Sequence, residues 1–161
     1  MESSIPLREK RWQHTVRQKV VNQAYLLKKY SFEYAPLLRW SKEVQSGDPK
    51  NVEAKAANYY WRHLFDSHTG DFLREREGIP PNNLLNYGYA VLRAIVARGL
   101  VCSGLLPALG IHHRNQYNAF CLADDLMEPF RPFVDDLVYQ IWTEHPDASE
   151  SLDKNFKAKL L

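Results

Sequence analysis

Apolar residues recur at three- and four-residue steps over most of this chain of 161 residues, a pattern typical of helices that each bury one face. The first such stripe lies between Leu7 and about Tyr30. Its members are Trp12, Val16, Val20, Ala24 and Leu27. No segment alternates apolar and polar residues as a strand does, and no hairpin turn signature is present. We therefore predict an all-α fold, a helical bundle that forms a single domain over residues 1–161.

Glycine and proline clusters separate this helix from several others. A second helix is predicted from about Phe32 to Gln45, and a third carries Glu53. A polar loop should follow from His63 to Asn83, because it contains two glycines and the Pro80–Pro81 pair. The next segment, Leu84 to Leu100, is apolar nearly all round. Such a helix is expected to run through the middle of the domain.

Helical spacing resumes after Asn118 and leads into a last apolar stripe. Its members are Phe130, Phe133, Val134, Leu137, Val138, Ile141 and Trp142. The Pro-Asp-Ala-Ser sequence at 146–149 should then separate a short, charged terminal helix from the rest.

Charge is distributed unevenly, although the formal net charge is only +2. Between Leu7 and Lys29 seven basic residues face the single acid Glu9, whereas acids outnumber bases from Asp124 to Asp153. The basic face of the first helix is either a solvated surface or a contact for DNA. Two cysteines without CxxC spacing, no secretory signal and no apolar run long enough for a bilayer indicate a cytoplasmic protein with reduced thiols.

The segment Gly110–Arg131 concentrates two histidines, two aspartates and a glutamate between hydrophobic helices. Upstream, Glu53 shares a helical face with Ala56 and Tyr60, so its carboxylate should point toward packed structure. Carboxylates with an imidazole and no thiolate suit Mg²⁺ or Mn²⁺, and the imidazole favours Mn²⁺. A site of this kind with open coordination positions is typical of phosphodiester transfer.

Each candidate residue also has an interpretation without a metal. Glu53 is then a carboxylate with a cationic or hydrogen-bonding partner, and His113 is an exposed loop histidine. Asp125 and Glu128 fit D-x-x-E, the pattern of a helix capping box. Arg74 and Arg76 are then charges in a solvated loop. The residues alone leave these alternatives open.

Four motifs, taken together and in order, resemble the catalytic domain of the CRISPR-associated Cas-one integrases. They are the E-x-x-A-A-x-x-Y-W helix from Glu53, the N-x-L-N-Y-G-Y helix start, the G-L-x-P-x-L-G-x-x-H loop and the D-L-M-E-P-F-R-P helix. The sequences of the last two motifs are similar to those of family members from type II systems. In this family the enzyme is an integrase and endonuclease that inserts new spacers into a CRISPR array.

The resemblance implies a ligand set and a DNA contact for this chain. The family's metal-binding glutamate, histidine and third acid fall on Glu53, His113 and Glu128, which would be the catalytic residues with Mg²⁺ or Mn²⁺. Asp125 matches an auxiliary acidic position. His112 and Asp124 lie outside the motif. Two loop residues, Arg74 and Arg76, match the region in which the family contacts DNA.

The resemblance also implies partners and a mechanism. The 3′ hydroxyl of a captured duplex would attack a phosphodiester of the CRISPR repeat, in a direct transesterification. Family members are homodimers that bind double-stranded DNA and a small ferredoxin-like adaptation protein. Their usual N-terminal β domain is absent from this sequence, which we interpret as a fragment of a longer protein. Alternatives are a transposase-like integrase of a mobile element and a non-catalytic DNA-binding assembly module.

Overall fold

The computed structural model describes residues 4–69, 72–75 and 80–144. Six α-helices and one 3₁₀ turn account for the regular structure of these residues. They are α1 (Ile5–Lys29), α2 (Ala35–Glu43), α3 (Val52–Thr69), α4 (Asn82–Cys102), α5 (Cys121–Met127), the 3₁₀ turn Glu128–Phe130 and α6 (Arg131–Glu144). No strand occurs within those ranges. The predicted all-α fold is confirmed.

The long helix α1 is the centre of the packing, because it contacts α2, α3, α6 and the 3₁₀ turn. All five residues of its predicted apolar stripe are buried, from Trp12 to Leu27. Three polar residues, Thr15, Lys19 and Gln23, are buried on the same side. Removal of this apolar surface from water is the main stabilisation of the bundle.

Side chains of α1 and the loop after α2 fix where α3 begins. Arg17 donates from Nε to the Ser41 carbonyl at 3.2 Å, which ties α1 to the end of α2. Asp48 then accepts hydrogen bonds from the backbone N–H groups of Val52 and Glu53, both at 2.9 Å. These two bonds satisfy backbone donors that the first turn of a helix leaves without partners.

Two predicted boundaries differ from the structure. α2 is shorter than predicted: it begins at Ala35, where Pro36 suits the first turn, and its backbone becomes extended at Val44. α3 continues to Thr69, so the loop that we predicted from His63 begins too early. The reason is that no helix-breaking residue occurs between His63 and Gly70. The predicted terminal helix after residue 149 lies outside the described residues.

The prediction that α4 runs through the middle of the domain is wrong for one side of its second half. Leu84, Leu85 and Tyr89 are buried, but the side chains of Ile95 and Val101 are 60% and 62% exposed. Helices α5 and α6 pack on α4 and leave its far side toward the C-terminal end uncovered. The last stripe is divided in the same way: Val138 and Ile141 are buried, and Val134 and Trp142 are partly buried, whereas Phe130, Phe133 and Leu137 are exposed.

Among the described helices, α4 is long and apolar enough to cross a bilayer by length and composition alone, although we predicted no such segment. Its first half nevertheless belongs to the hydrophobic core of the bundle. A core helix of a water-soluble protein meets the same criterion. The criterion is therefore weak support for a membrane helix here.

A buried carboxylate, that of Asp135, joins helices α3, α4 and α6. Asp135 of α6 accepts a hydrogen bond from the Tyr60 hydroxyl of α3 at 2.8 Å and another from the Tyr89 hydroxyl of α4. Burial raises the pKa of Asp135 to about 7, although both hydroxyl groups act in the opposite direction. Because Tyr60 lies two helical turns after Glu53, this network fixes the helix that carries Glu53.

Candidate metal centre

Two of the predicted ligands share one cation. The Lys19 ammonium of α1 lies 2.6 Å from Glu53 Oε1 and 2.5 Å from Glu128 Oε2. All three groups are largely withdrawn from water, with side-chain exposures of 11% for Lys19, 24% for Glu53 and 5% for Glu128. Carboxylates from two distant parts of the chain therefore converge on a single point at the surface of α1.

Glu128 is held in the 3₁₀ turn by contacts on both sides. Arg131 Nη2 lies 2.9 Å from its second carboxylate oxygen, Oε1. On the other side, Asn22 of α1 donates from Nδ2 to the Pro129 carbonyl at 2.7 Å. Since Asn22 lies three residues after Lys19, one face of α1 contacts both the backbone and the carboxylate of this turn.

The capping-box interpretation of Asp125 and Glu128 is wrong. α5 begins at Cys121, so Asp125 lies inside the helix and does not cap it. Its fully buried carboxylate instead accepts backbone N–H bonds from the preceding loop: Ile111 at 2.5 Å, His112 at 2.8 Å and His113 at 3.2 Å. The carboxylate thus holds residues 110–113, which we call the histidine loop, against α5.

Asp125 also orients the imidazole of His113. Nδ1 of His113 lies 2.5 Å from Asp125 Oδ1, the arrangement of an N–H donor and a carboxylate acceptor. This hydrogen bond raises the pKa of His113, and the charge of Glu128 contributes in the same direction although burial opposes it. The other ring nitrogen, Nε2, is left to bind a ligand, as in histidines whose first nitrogen is held by a carboxylate.

Trp12 of α1 packs against both histidines of the histidine loop. Its ring stacks on His112 with a centroid distance of 4.2 Å, and meets the His113 ring edge to face at 5.9 Å. Gly110 permits the tight approach of this loop, because a Cβ atom there would lie 2.2 Å from the His113 carbonyl oxygen. The loop is therefore fixed by α1 from one side and by Asp125 from the other.

The charge of Lys19 is maintained despite its burial. Burial lowers the pKa of Lys19, but the negative charges and hydrogen bonds of Glu128 and Glu53 outweigh it and place the pKa above its usual value of 10.5. A buried carboxylate pair without a cation would be costly, because like charges repel and each has lost its hydration. Lys19 therefore neutralises the site in the structure.

The donor set fits a hard divalent cation in part. Mg²⁺ and Mn²⁺ prefer carboxylate oxygens as ligands, and the oxygens of Glu53 and Glu128 already converge on the Lys19 ammonium. His113 presents a nitrogen with a fixed orientation. However, no three His, Cys, Asp or Glu side chains of the described residues surround one point closely enough to form a complete cation site. The set Glu53, His113 and Glu128 therefore remains a prediction.

Arg74 belongs to a group of arginines around the Tyr89 ring. Its guanidinium donates to Asn82 and Asn86 at 3.0 and 2.7 Å and lies 5.3 Å from the centre of the Tyr89 ring. Arg131 lies over the same ring at 4.7 Å. With Arg93 they line an open cavity of about 360 Å³. Arg76 lies outside the described residues.

Sequence reasoning missed Lys19, although a signal was present. Lys19 lies between Val16 and Val20 on the apolar stripe of α1, whereas we grouped it with the basic face. A lysine at an apolar position of a long helix indicates a buried acidic partner, because an unpaired buried ammonium is unstable.

Asp124, which the motif leaves out, is bound by Arg93 Nε at 2.8 Å and by Asn118 at 2.7 Å.

Comparison with known families gives a decisive match. The family model described as "CRISPR associated protein Cas1" matches residues 8–158. The chain belongs to the Cas1 family. It is 44% identical over 143 residues to the CRISPR-associated endonuclease Cas1 of Neisseria meningitidis serogroup C, covering 88% of this chain and 46% of that relative. It thus spans about half the length of this relative. The predicted family resemblance is confirmed, and the assignment to a type II system stays a prediction.

Another relative is similar to this chain in sequence, and two solved structures are similar to it in fold. A CRISPR-associated endonuclease Cas1 of Pyrobaculum aerophilum is 39% identical over 105 residues, which cover 63% of this chain and 35% of that Cas1 protein. A casposase bound to integration product superimposes with a TM-score of 0.72 at 23% identity, over 95% of this chain and 50% of the casposase chain. A Cas1 structure from Thermotoga maritima gives 0.71 at 22% identity, over 92% and 50% of the two chains. These superpositions show that the fold is that of Cas1 proteins.

Proposed function

We propose that this chain is the catalytic part of a metal-dependent DNA integrase and endonuclease that inserts new spacers into a CRISPR array. The observation that carries the proposal is the convergence of the Glu53 and Glu128 carboxylates on the Lys19 ammonium. The charge of Glu128 also raises the pKa of His113, whose ring is oriented by Asp125. Membership of the Cas1 family and relatives named endonucleases support the same reaction class.

In this proposal each residue of the site has a chemical role. Glu53, Glu128 and the free ring nitrogen of His113 would hold Mg²⁺ or Mn²⁺. When bound, the metal supplies charge stabilisation at the attacked phosphate and activation of the attacking 3′ hydroxyl. Asp125 fixes the tautomer and direction of His113. Trp12 excludes water from the inner side of the histidine loop, since it is itself buried.

The DNA contact and the partners belong to the same proposal. Arg74, with its guanidinium held beside the site by Asn82 and Asn86, is placed to contact a phosphate of the DNA backbone, and Arg76 is expected to assist it. The substrate would be double-stranded DNA, consistent with the casposase that was solved bound to integration product. A homodimer and a small ferredoxin-like adaptation protein complete the cytoplasmic assembly that we propose.

We expect Glu53→Gln to reduce strand transfer by at least about 100-fold, because the amide supplies a poorer ligand than the carboxylate. The measurement follows the joining of a labelled duplex with 3′ hydroxyl ends to a plasmid that contains a leader and repeat, in Mn²⁺. The matched control is Glu43→Gln, an exposed residue of α2. Full activity of Glu53→Gln would show that the reaction does not use this carboxylate. Absence of strand transfer in the wild type would instead favour a non-catalytic DNA-binding module.

The casposase superposition supports a second candidate, a transposase-like integrase of a mobile element. The same assay separates the two by product position. Insertion at the boundaries of the repeat is expected for spacer acquisition, whereas a mobile-element integrase would join the ends of its own element and show no preference for the repeat.

A further inference from the structure

The cluster of Lys19, Glu53 and Glu128 contains a cation of its own before any metal binds. The Lys19 Nζ atom is within 2.6 Å of one carboxylate oxygen from each acid. A divalent ion bound by the same oxygens would sit about 2.1 Å from each of them. The ammonium and the ion would therefore occupy nearly the same place, and they repel each other.

Lys19 differs from an ordinary surface lysine in its position in the fold. It is buried on the apolar face of α1, between Val16 and Val20. The same helix contacts the His113 loop through Trp12 and the Glu128 turn through Asn22. The four-carbon stem of lysine lets the ammonium move while the helix stays in place.

We propose that Lys19 is a positioning residue that acts as a resident counter-ion, which holds Glu53 and Glu128 together in the metal-free protein and must be displaced when a divalent cation binds. The inference rests on the metal site of the proposed function. It adds that metal affinity is set by competition with a residue that is not itself a ligand.

Competition predicts opposite effects of one substitution on two measurements. Lys19→Met keeps the length of the side chain and removes the charge. The metal-free protein should melt at a temperature lower by about 5 °C or more, because two neighbouring carboxylates lose their cation. Its affinity for Mn²⁺ should rise about tenfold or more, because the competing charged hydrogen bonds are gone. A residue with a merely structural role would lower both.

The experiment is a Mn²⁺ titration followed by electron paramagnetic resonance, with thermal melts in the absence and presence of Mn²⁺. Lys10→Met is the matched control, since it removes an exposed lysine from the same helix and should change neither quantity. Unchanged or weaker Mn²⁺ affinity of Lys19→Met, beside saturable binding by the wild type, would overturn the role of Lys19 alone. Absence of saturable binding in both proteins would overturn the metal site of the proposed function and this inference with it.

A second measurement on the wild-type chain applies even if Lys19→Met does not fold. The ¹³Cε resonance of Lys19, identified by its loss in Lys19→Arg, should shift with Mg²⁺ and reach its end point at saturation. The Lys10 resonance should stay in place. Saturation of the Mg²⁺ site without movement of the Lys19 signal would show that the ammonium is not displaced and would overturn the proposal.

Discussion

Glu128→Ala is expected to reduce the free energy of unfolding by about 3 kcal/mol and to abolish strand transfer. The carboxylate binds two cations at once, the buried Lys19 at 2.5 Å and the partly buried Arg131 at 2.9 Å. After its removal Lys19 keeps the ion pair with Glu53, and Arg131 keeps only the longer-range attraction of Asp135 and Asp124. The cost is mainly that of leaving buried positive charge without compensation, because hydration cannot be recovered in the interior. Urea denaturation gives the stability change.

Glu128→Gln separates the structural effect from the chemical one. The amide fills the same volume and its oxygen still accepts a hydrogen bond from Lys19 or Arg131, so the loss of stability should be smaller. The loss of strand transfer should remain, because a neutral amide is a weak ligand for Mg²⁺ or Mn²⁺. Strand transfer near the wild-type level in Glu128→Gln would remove this residue from the proposed ligand set, whatever its contribution to folding.

Asp125→Ala is expected to have a second large effect, again of about 3 kcal/mol or more. Its buried carboxylate accepts three backbone N–H groups of residues 111–113 and lies against His113 Nδ1. Without it these donors lose their partner and the histidine loop loses its anchor on α5. The pKa of His113 should fall toward its ordinary value of 6.5, because its hydrogen bond to Asp125 is the largest cause of the rise.

Two measurements check this prediction, a urea denaturation series and a ¹H–¹⁵N NMR titration of the His113 ring. Asp124→Ala is the matched control from the neighbouring position. Asp124 is bound by Arg93 and Asn118 and makes no hydrogen bond to His113. Its charge is the last of the causes that raise the pKa of His113, so its loss should lower that pKa much less than the loss of Asp125 does. An unchanged His113 pKa in Asp125→Ala would contradict the role of Asp125 as the residue that orients the imidazole.

Periodicity predicts the buried stripe of α1 correctly, because a long helix with one apolar face has only one way to bury it. It fails for the second half of α4, where apolar residues on every side predict burial but the neighbouring helices cover only one side. The number of helices that pack around α4 depends on tertiary arrangement, which no local pattern records. The exposed residues Ile95 and Val101 are the result.

The candidate site divides in the same way. The motifs select Glu53, His113, Asp125 and Glu128 as the acids and imidazole of interest, and the structure joins them in two pairs, one through Lys19 and one by direct contact. Spacing along the chain could not give these pairs, because each joins residues that are brought together only by packing. The role of Asp125 could not be derived either, since D-x-x-E is equally typical of a helix cap.

The central claim, that His113 and the two carboxylates form one metal site, is tested most directly by pulsed electron paramagnetic resonance of Mn²⁺ bound to this chain. Electron spin echo modulation detects the nitrogen of an imidazole that is directly bound to the metal. We expect nitrogen modulation in the wild type and in His112→Ala, whose imidazole stacks on Trp12, and its loss in His113→Ala. Nitrogen modulation that persists in His113→Ala, or bound Mn²⁺ without it in the wild type, would contradict the account.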